Sequence, residues 1–599
     1  MNRIRERLKS LRTEMAAYGV TACYIPTDDF HMSEYVGDYF KCRAYLSGFT
    51  GSAGTLVVLP DQAALWVDSR YFLQAADQLA GSGITMMKLG VEGQPSVFEY
   101  LLEYLKAGDV LALDGRTVPA SFGQELERKL KEKEISLRRD LDLPGTIWPD
   151  RPPLPASRVW ILEEAYSGKS TAQKLKDLRT QMKEAGADLH VLASLDDIAW
   201  LLNLRAADIA YNPVLLSYAV IGMDRAVLFA NEAGMDAQVK QYLAENGFVR
   251  RPYHEAYAFC ESLSDRRILL CKAKLNDALV HSLSGRGNEL LDRENPTMLA
   301  KAVKNDTEIR NLREAHRKDG LAVSRFMHWL KTHVADGGLT ECSAAAYLDR
   351  LRLQTEGNLG LSFPTICGYA AHGAIVHYEA TEETDIPLEP KGLLLVDSGG
   401  QYLQGTTDIT RTFALGPLKP EEKRDFTLVL KGMLNLASAK FPRGTTGLHL
   451  DAAARIPLWQ YGLNFGHGTG HGVGYLLNVH ESPNNISPAI RSGRQPVAFV
   501  PGMVTTDEPG LYVEGSHGIR TENELLCVES GESEYGTFYE FEVLTLAPID
   551  LDAVDPACLN EEDIRRLNRY HKMVYERLAP YMTKDEQIWL AEYTRELSG

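Results

Sequence analysis

With 599 residues the chain is longer than one hydrophobic core usually holds, so two to four domains are expected. Its 44% hydrophobic and 24% charged content argues against extensive disorder. A net charge of -17, from 81 acidic against 64 basic residues, disfavours a nucleic-acid backbone as partner. No apolar run approaches the roughly 18 residues a membrane-spanning helix needs, so no membrane partner is expected.

The N-terminal stretch MNRIRERLKSLRTEM is basic but lacks an apolar core, and Ile4, Leu8, Leu11 and Met15 recur at helical spacing. It reads as a surface helix rather than a leader. The segment LKSLRTEMAAYGVTACYIPTDD from Leu8 returns as LKDLRTQMKEAGADLHVLASLDD from Leu175. Leu11, Arg12, Thr13 and Gly19 align with Leu178, Arg179, Thr180 and Gly186. Each copy predicts an amphipathic helix, a glycine stop, then an apolar strand ending in acidic residues. That shared order predicts a duplicated α/β domain.

Between the copies, IWPDRPPLPAS carries Pro149, Pro152, Pro153 and Pro155, which favours an extended, solvated linker and a boundary near residue 157. A long helical pattern begins after Pro296, in NPTMLAKAVKNDTEIRNLREAH. The expected organisation is therefore 1–157, its duplicate 158–303, a third domain 304–548, and a charged helical tail 549–599 acting as a closing appendage. Eight scattered cysteines without a CxxC pair fit reduced thiols in a cytoplasmic protein and make thiolate-held zinc a poor expectation.

The third segment concentrates acidic and histidine residues beside glycines. KGLLLVDSGG predicts a buried strand ending at Asp397, and GTTDITRTFAL a second strand carrying Asp408. A short glycine-containing connection between them predicts a hairpin that brings both carboxylates together. NFGHGTGHGVGYLLNVHE follows with His467, His471 and His480; its interleaved glycines make a helix poor and suggest close backbone approach to something bound. VTTDEPGLY supplies Glu508, held extended by Pro509, and GIRTENELLCV supplies Glu522.

Taken singly, each has a structural reading: an aspartate at a strand end is usually a cap or turn former, and a histidine in a glycine-rich loop is usually structural. Together they point elsewhere, because unpaired buried carboxylates cost several kcal/mol each. Four carboxylates match the charge of two divalent ions. Oxygen ligands with one imidazole suit manganese, with cobalt or zinc as alternatives. Two such ions generate hydroxide at neutral pH and clamp a tetrahedral intermediate, which is hydrolase chemistry.

DSGGQYLQGTTDITRT, HGTGHGVGYLLNVHE, TTDEPGLY and GIRTENELL resemble the pita-bread metallopeptidases, specifically the long, three-domain Xaa-Pro aminopeptidase family. IPTDDFHMSEY, RAYLSGFTGSAGT, WVDSRYFLQAADQ and IAWLLNLR extend the likeness through the front half. The resemblance implies two creatinase-like α/β domains before a pita-bread catalytic domain. It implies Asp397 on one metal, His471 and Glu508 on the other, and Asp408 and Glu522 bridging. Glu508 would also handle a proton, and His377 and His480 would contact substrate and the developing oxyanion. His467 would support the site near substrate, and Arg70 would contact the peptide. A homodimer acting on peptides with proline at the second position is implied as well. The loop Ala370, Ala371 and His372 departs from the family's usual composition, which leaves substrate-side detail open there.

Three other readings share the scaffold. A prolidase would use the same five ligands but needs neither the long front half nor the tail. A creatinase-like hydrolase works without metals, and all five ligand positions are filled here. A non-catalytic binding module, such as a histone-chaperone subunit, would be expected to lose ligands and gain long acidic tails; neither is seen.

Overall fold

The computed structural model describes residues 2–489 and 495–598. The first helix, Asn2–Ala17, buries Ile4, Leu8, Leu11 and Met15 while its charges face outward. Gly19 then turns the chain with φ 67°, and the strand Ala22–Pro26 follows, buried throughout. The second copy repeats the order: helix Thr171–Glu184, Gly186 with φ 69°, strand Leu189–Leu192. Both glycines occupy the left-handed region that ends a helix without a Cβ penalty.

The likeness extends to whole sheets. The first runs Thr85–Lys88, Ala63–Val67, Thr55–Val58, Ala22–Pro26, Val110–Ala112, Ser136–Arg138 across its width. The second runs Phe248–Pro252, Ala226–Ala230, Ser217–Gly222, Leu189–Leu192, Arg267–Leu270, Glu289–Asp292. The sequence of parallel and antiparallel neighbours is identical in the two. Equivalent helices, Ala120–Lys131 and Asp277–Leu283, pack on each other, and the residues preceding them, Pro119 and Asn276, form a β-bridge. The copies therefore meet through corresponding surfaces, like the halves of a two-fold dimer.

These sheets share one compact unit, Met1–Glu164 with Lys169–Met298; Ala165–Gly168 and Leu299–Gly599 form another. The proline-rich connector is not the solvated linker its composition suggested. Several of its residues are half-buried, and Arg151 is pinned by Asp142 at 2.6 Å and by the Tyr39 carbonyl at 2.8 Å.

In the second unit, the helix Asp306–His333 starts with a capping box between Asn305 and Glu308 and ends with Lys331 and His333, complementing its dipole at both ends. With Glu341–Leu353, Pro420–Ala437 and Gly447–Trp459 it belongs to the helical part of this unit. The sheets are antiparallel: one of Ile366–Tyr369, Leu393–Ser398 and Ile409–Ala414, and a six-stranded one holding Gly470–Gly472, Val504–Asp507 and Asn523–Ser533 near its centre. The tail helix Glu561–Leu578 is more than an appendage. Its Leu567, Tyr570, Val574 and Leu578 share a core with Phe426, Val429, Leu430 and Met433. All eight cysteines are free, and among the described residues no helix is long and apolar enough to cross a membrane.

Candidate metal centre

Asp397 sits near the end of the fully buried strand Leu393–Ser398, opposite Ile366 on one side and Thr410 on the other. Asp408 immediately precedes the strand Ile409–Ala414, which pairs with the strand of Asp397. The sequence predicted a simple hairpin here. The connection instead forms a hairpin of its own, Gly400–Tyr402 with Gly405–Thr406, in a separate three-stranded sheet. Asp408 is fixed where the two sheets part, its backbone N–H donating to Glu524 Oε1 at 2.7 Å.

His471 is the middle residue of the short strand Gly470–Gly472. Its flanking glycines serve the sheet rather than a bound molecule: a Cβ on Gly470 would lie 2.0 Å from the Thr506 carbonyl oxygen, and one on Gly472 2.4 Å from that of Glu481. Only glycine lets this strand insert between its neighbours. Glu508 follows the strand Val504–Asp507, its N–H donating to the Thr469 carbonyl at 2.8 Å. Glu522 lies between His517–Arg520 and Asn523–Ser533, its N–H on the Thr410 carbonyl at 3.1 Å and its Oε2 accepting from Thr410 Oγ1 at 2.7 Å.

Folding brings these side chains together. One potential ligand atom each of Asp408, His471 and Glu522 lie within 4.8 Å of one another. His471 Nε2 stands 3.4 Å from Asp408 Oδ2 and 3.5 Å from Glu508 Oε1. Burial opposes its charge, but Asp408 and Glu508 outweigh that and raise the ring's pKa to about 9, so without a cation Nε2 carries a proton toward the carboxylates. A cation would replace that proton, with Nδ1, 3.0 Å from the Gly472 carbonyl, donating there. Burial, with Asp408, Asp397 and Glu508 nearby, holds the Glu522 carboxyl well above its ordinary range. Burial likewise pushes Asp408 up to about 6, with Asp397 and Glu508 adding to the effect against the His471 bond. Asp397 Oδ1 is buried with no hydrogen-bond partner. A cluster of carboxylates that oppose one another's ionisation, with one orphaned oxygen and an imidazole, fits divalent cations.

Apart from His467, the residues around the cluster were not singled out from the sequence. Arg520 donates from Nη2 to Asp397 Oδ2 at 2.6 Å and from Nη1 to Tyr512 OH at 2.6 Å; Tyr512 OH lies 2.8 Å from His467 Nε2. His467 is thus linked to Asp397 through Tyr512 and Arg520, and burial lowers its pKa to about 4, keeping it neutral. Behind Asp408, the buried Glu524 has Oε2 3.2 Å from His316 Nε2. A signal was present: Arg520, Glu522 and Glu524 alternate, which in extended chain places them on one face.

The His480 ring stands 4.3 Å from that of His471, nearly perpendicular to it. His377 is half-buried in a turn after the short helix Ala370–Ala374, beside Val376, whose carbonyl accepts from Arg520 Nη2 at 3.4 Å. Arg70 belongs to the first unit, where Asp68 holds its guanidinium at 2.8 Å through both Nε and Nη2.

A buried cluster of carboxylates and one imidazole suits divalent cations, and the chain's relatives make it that of a metallopeptidase. Residues 310–529 match metallopeptidase family M24, 537–597 the C-terminal region of that peptidase, and 7–138 and 150–308 two creatinase/prolidase N-terminal domains. The chain belongs to the M24 metallopeptidase family. It is 37% identical to aminopeptidase P2 of Arabidopsis thaliana over 99% of this chain and 88% of that one. It is 36% identical to Xaa-Pro aminopeptidase 1 of Dictyostelium discoideum, covering 97% and 94%. In structure it is similar to X-prolyl aminopeptidase of Caenorhabditis elegans, described as a cytosolic enzyme with a di-nuclear active site: TM-score 0.94, 33% identity, 99% of this chain and 100% of that one.

Proposed function

We propose that this chain is an Xaa-Pro aminopeptidase, cleaving the bond between an N-terminal residue and a following proline. The observation that carries this is the Asp408–His471–Glu522 cluster on a chain similar from end to end to X-prolyl aminopeptidases. Asp397 would hold one divalent ion, His471 and Glu508 the other, and Asp408 and Glu522 would be shared by both. The preponderance of oxygen ligands favours manganese. When bound, the ions supply a nucleophile from water at neutral pH and polarise the scissile carbonyl.

The chain's own groups do the rest. Glu508 Oε takes a proton from the attacking water and returns it to the leaving proline nitrogen. His480 and His377 donate to the carbonyl oxygen as it gains charge. Arg520 and Tyr512, with His467 behind them, hold Asp397 in place. Arg70 contacts peptide beyond the proline.

The domain limits 157, 303 and 548 belong to this reading, as do a cytoplasmic setting and a homodimer. For the dimer, Leu448, Ile456, Trp459 and Tyr461 leave large apolar side chains exposed along and just beyond one helix of the catalytic unit. The test is a mass-spectrometric digest of an Xaa-Pro-Yaa peptide and its Xaa-Ala-Yaa analogue, with and without manganese. Release of the first residue from the proline peptide alone, dependent on metal, is expected. Cleavage restricted to dipeptides would make the chain a prolidase.

A further inference from the structure

The buried carboxylate of Glu341 lies outside the metal centre and has no part in the chemistry above. Its side chain is fully buried at the first turn of the helix Glu341–Leu353, where the helix dipole favours a negative charge. Oε1 accepts from the Tyr369 backbone N–H at 2.7 Å, both oxygens lie 3.0 Å from His372 Nδ1, and Oε2 accepts from Tyr378 OH at 2.9 Å. All three donors come from one ten-residue stretch, 369–378, and His377 is inside it.

That stretch needs holding. Its second residue, Ala370, has φ 50°, a left-handed backbone that alanine adopts only where the surroundings fix it. Its other side leans on the strand His517–Arg520: a Cβ on Gly518 would lie 1.6 Å from the Gly373 carbonyl oxygen. The Val376 carbonyl touches the same Arg520 that binds Asp397. One edge of the loop is therefore tied to Glu341 and the other to the support of the metal centre.

We infer that Glu341, through His372, Tyr378 and the Tyr369 amide, is a positioning residue that sets His377 against the substrate. This rests on the role proposed for His377. Glu341→Gln keeps the size but puts an NH2 group where acceptor oxygens stood. His372→Ala, at a half-exposed position, removes one donor and leaves the helix intact.

In hydrogen–deuterium exchange of the metal-loaded protein, both variants should expose the 369–378 amides at least tenfold faster while leaving the strands of Asp397 and Glu508 protected. Metal content should stay at two, and kcat on Xaa-Pro-Yaa should fall about a hundredfold in Glu341→Gln with a smaller change in KM. The double variant Glu341→Gln/His377→Ala should be no slower than His377→Ala alone. Unchanged exchange in both variants overturns the inference whatever the activity, and so do losses that add in the double variant. Faster exchange with a fully active His377→Ala keeps the staple and overturns the role of His377 instead.

Discussion

Arg520 Nη2 lies 2.6 Å from Asp397 Oδ2, while the other oxygen of the same carboxylate, Oδ1, is buried without a hydrogen-bond partner. The guanidinium thus orients Asp397 from one side and leaves the remaining oxygen for a cation. It also changes the charge balance. Its charge offsets part of the repulsion among the clustered carboxylates. Arg520→Lys retains the charge but cannot make the forked contact to Asp397 and Tyr512 together. Its affinity for metal, measured by equilibrium dialysis and elemental analysis, should fall about 10–100-fold, the usual effect of removing a group that orients a ligand.

Asp408 and Asp397 should differ in what their loss removes. Asp408 is nearly fully buried and electrostatically joined to Asp397, His471 and Glu508, as a bridge must be. Asp408→Asn should therefore lose both metals, whereas Asp397→Asn should chiefly weaken one. Elemental analysis separates the cases. Two metals per chain retained by Asp408→Asn would remove the bridging role.

His480 is expected to act on the transition state. A donor aimed at a developing oxyanion is worth roughly 2.7–4 kcal/mol. His480→Ala should lower kcat by about two to three orders of magnitude with metal content intact. Because its ring lies 4.3 Å from that of His471, loss of metal in this variant would instead make it a ligand or a direct support of one.

That Asp408, His471 and Glu522 would come together was legible because metal chemistry restricts residue types and the motifs crowd them into short stretches rich in glycine or acidic residues. The duplication was legible because helix, glycine stop and strand recur together around Gly19 and Gly186. What stayed hidden were relations across sequence distance. Arg520 to Asp397 spans 123 positions, and Arg411 Nη2 to Tyr570 OH, which ties the tail into the core, spans 159. The glycines around His471 misled for a related reason: close approach was read correctly, but the partner is the Thr506 and Glu481 backbone, which only the sheet order reveals.

Acid stability should depend on buried neutral histidines. His571 is buried, accepts from the Ile549 N–H through Nε2 at 3.0 Å, and is pushed down to about 3 by burial and then by the charges of Arg411 and Arg595. Above pH 6.5 it is neutral folded or unfolded and has no effect on the slope. Between 6.5 and about 3 the unfolded chain takes up a proton that the folded chain refuses, so stability falls with falling pH by about 1.4 kcal/mol per unit. His571→Gln keeps an acceptor for Ile549 without titrating. Its urea midpoint against pH should be flatter than that of the wild type across this window, by one proton's worth of slope. Parallel profiles would show that His571 is not the group refusing the proton.

Selectivity for proline has to come from outside the proposed metal centre, which would clamp any carbonyl alike. An Xaa-Pro amide is tertiary, so it offers no N–H, and its ring fixes φ near −65°. A pocket shaped for the ring leaves space beside alanine and leaves the alanine N–H unpaired. An unpaired buried donor costs about 1–3 kcal/mol, to which the lost ring contacts add. Together these should favour proline by about a hundredfold or more in kcat/KM. If Arg70 contacts peptide beyond the proline, Arg70→Ala should keep two metals and lose more activity on Xaa-Pro-Yaa than on a bare Xaa-Pro dipeptide. Steady-state kinetics on matched Xaa-Pro-Yaa, Xaa-Ala-Yaa and Xaa-Pro substrates measures both effects. Equal cleavage of the alanine and proline peptides by the wild type would leave a general metalloaminopeptidase.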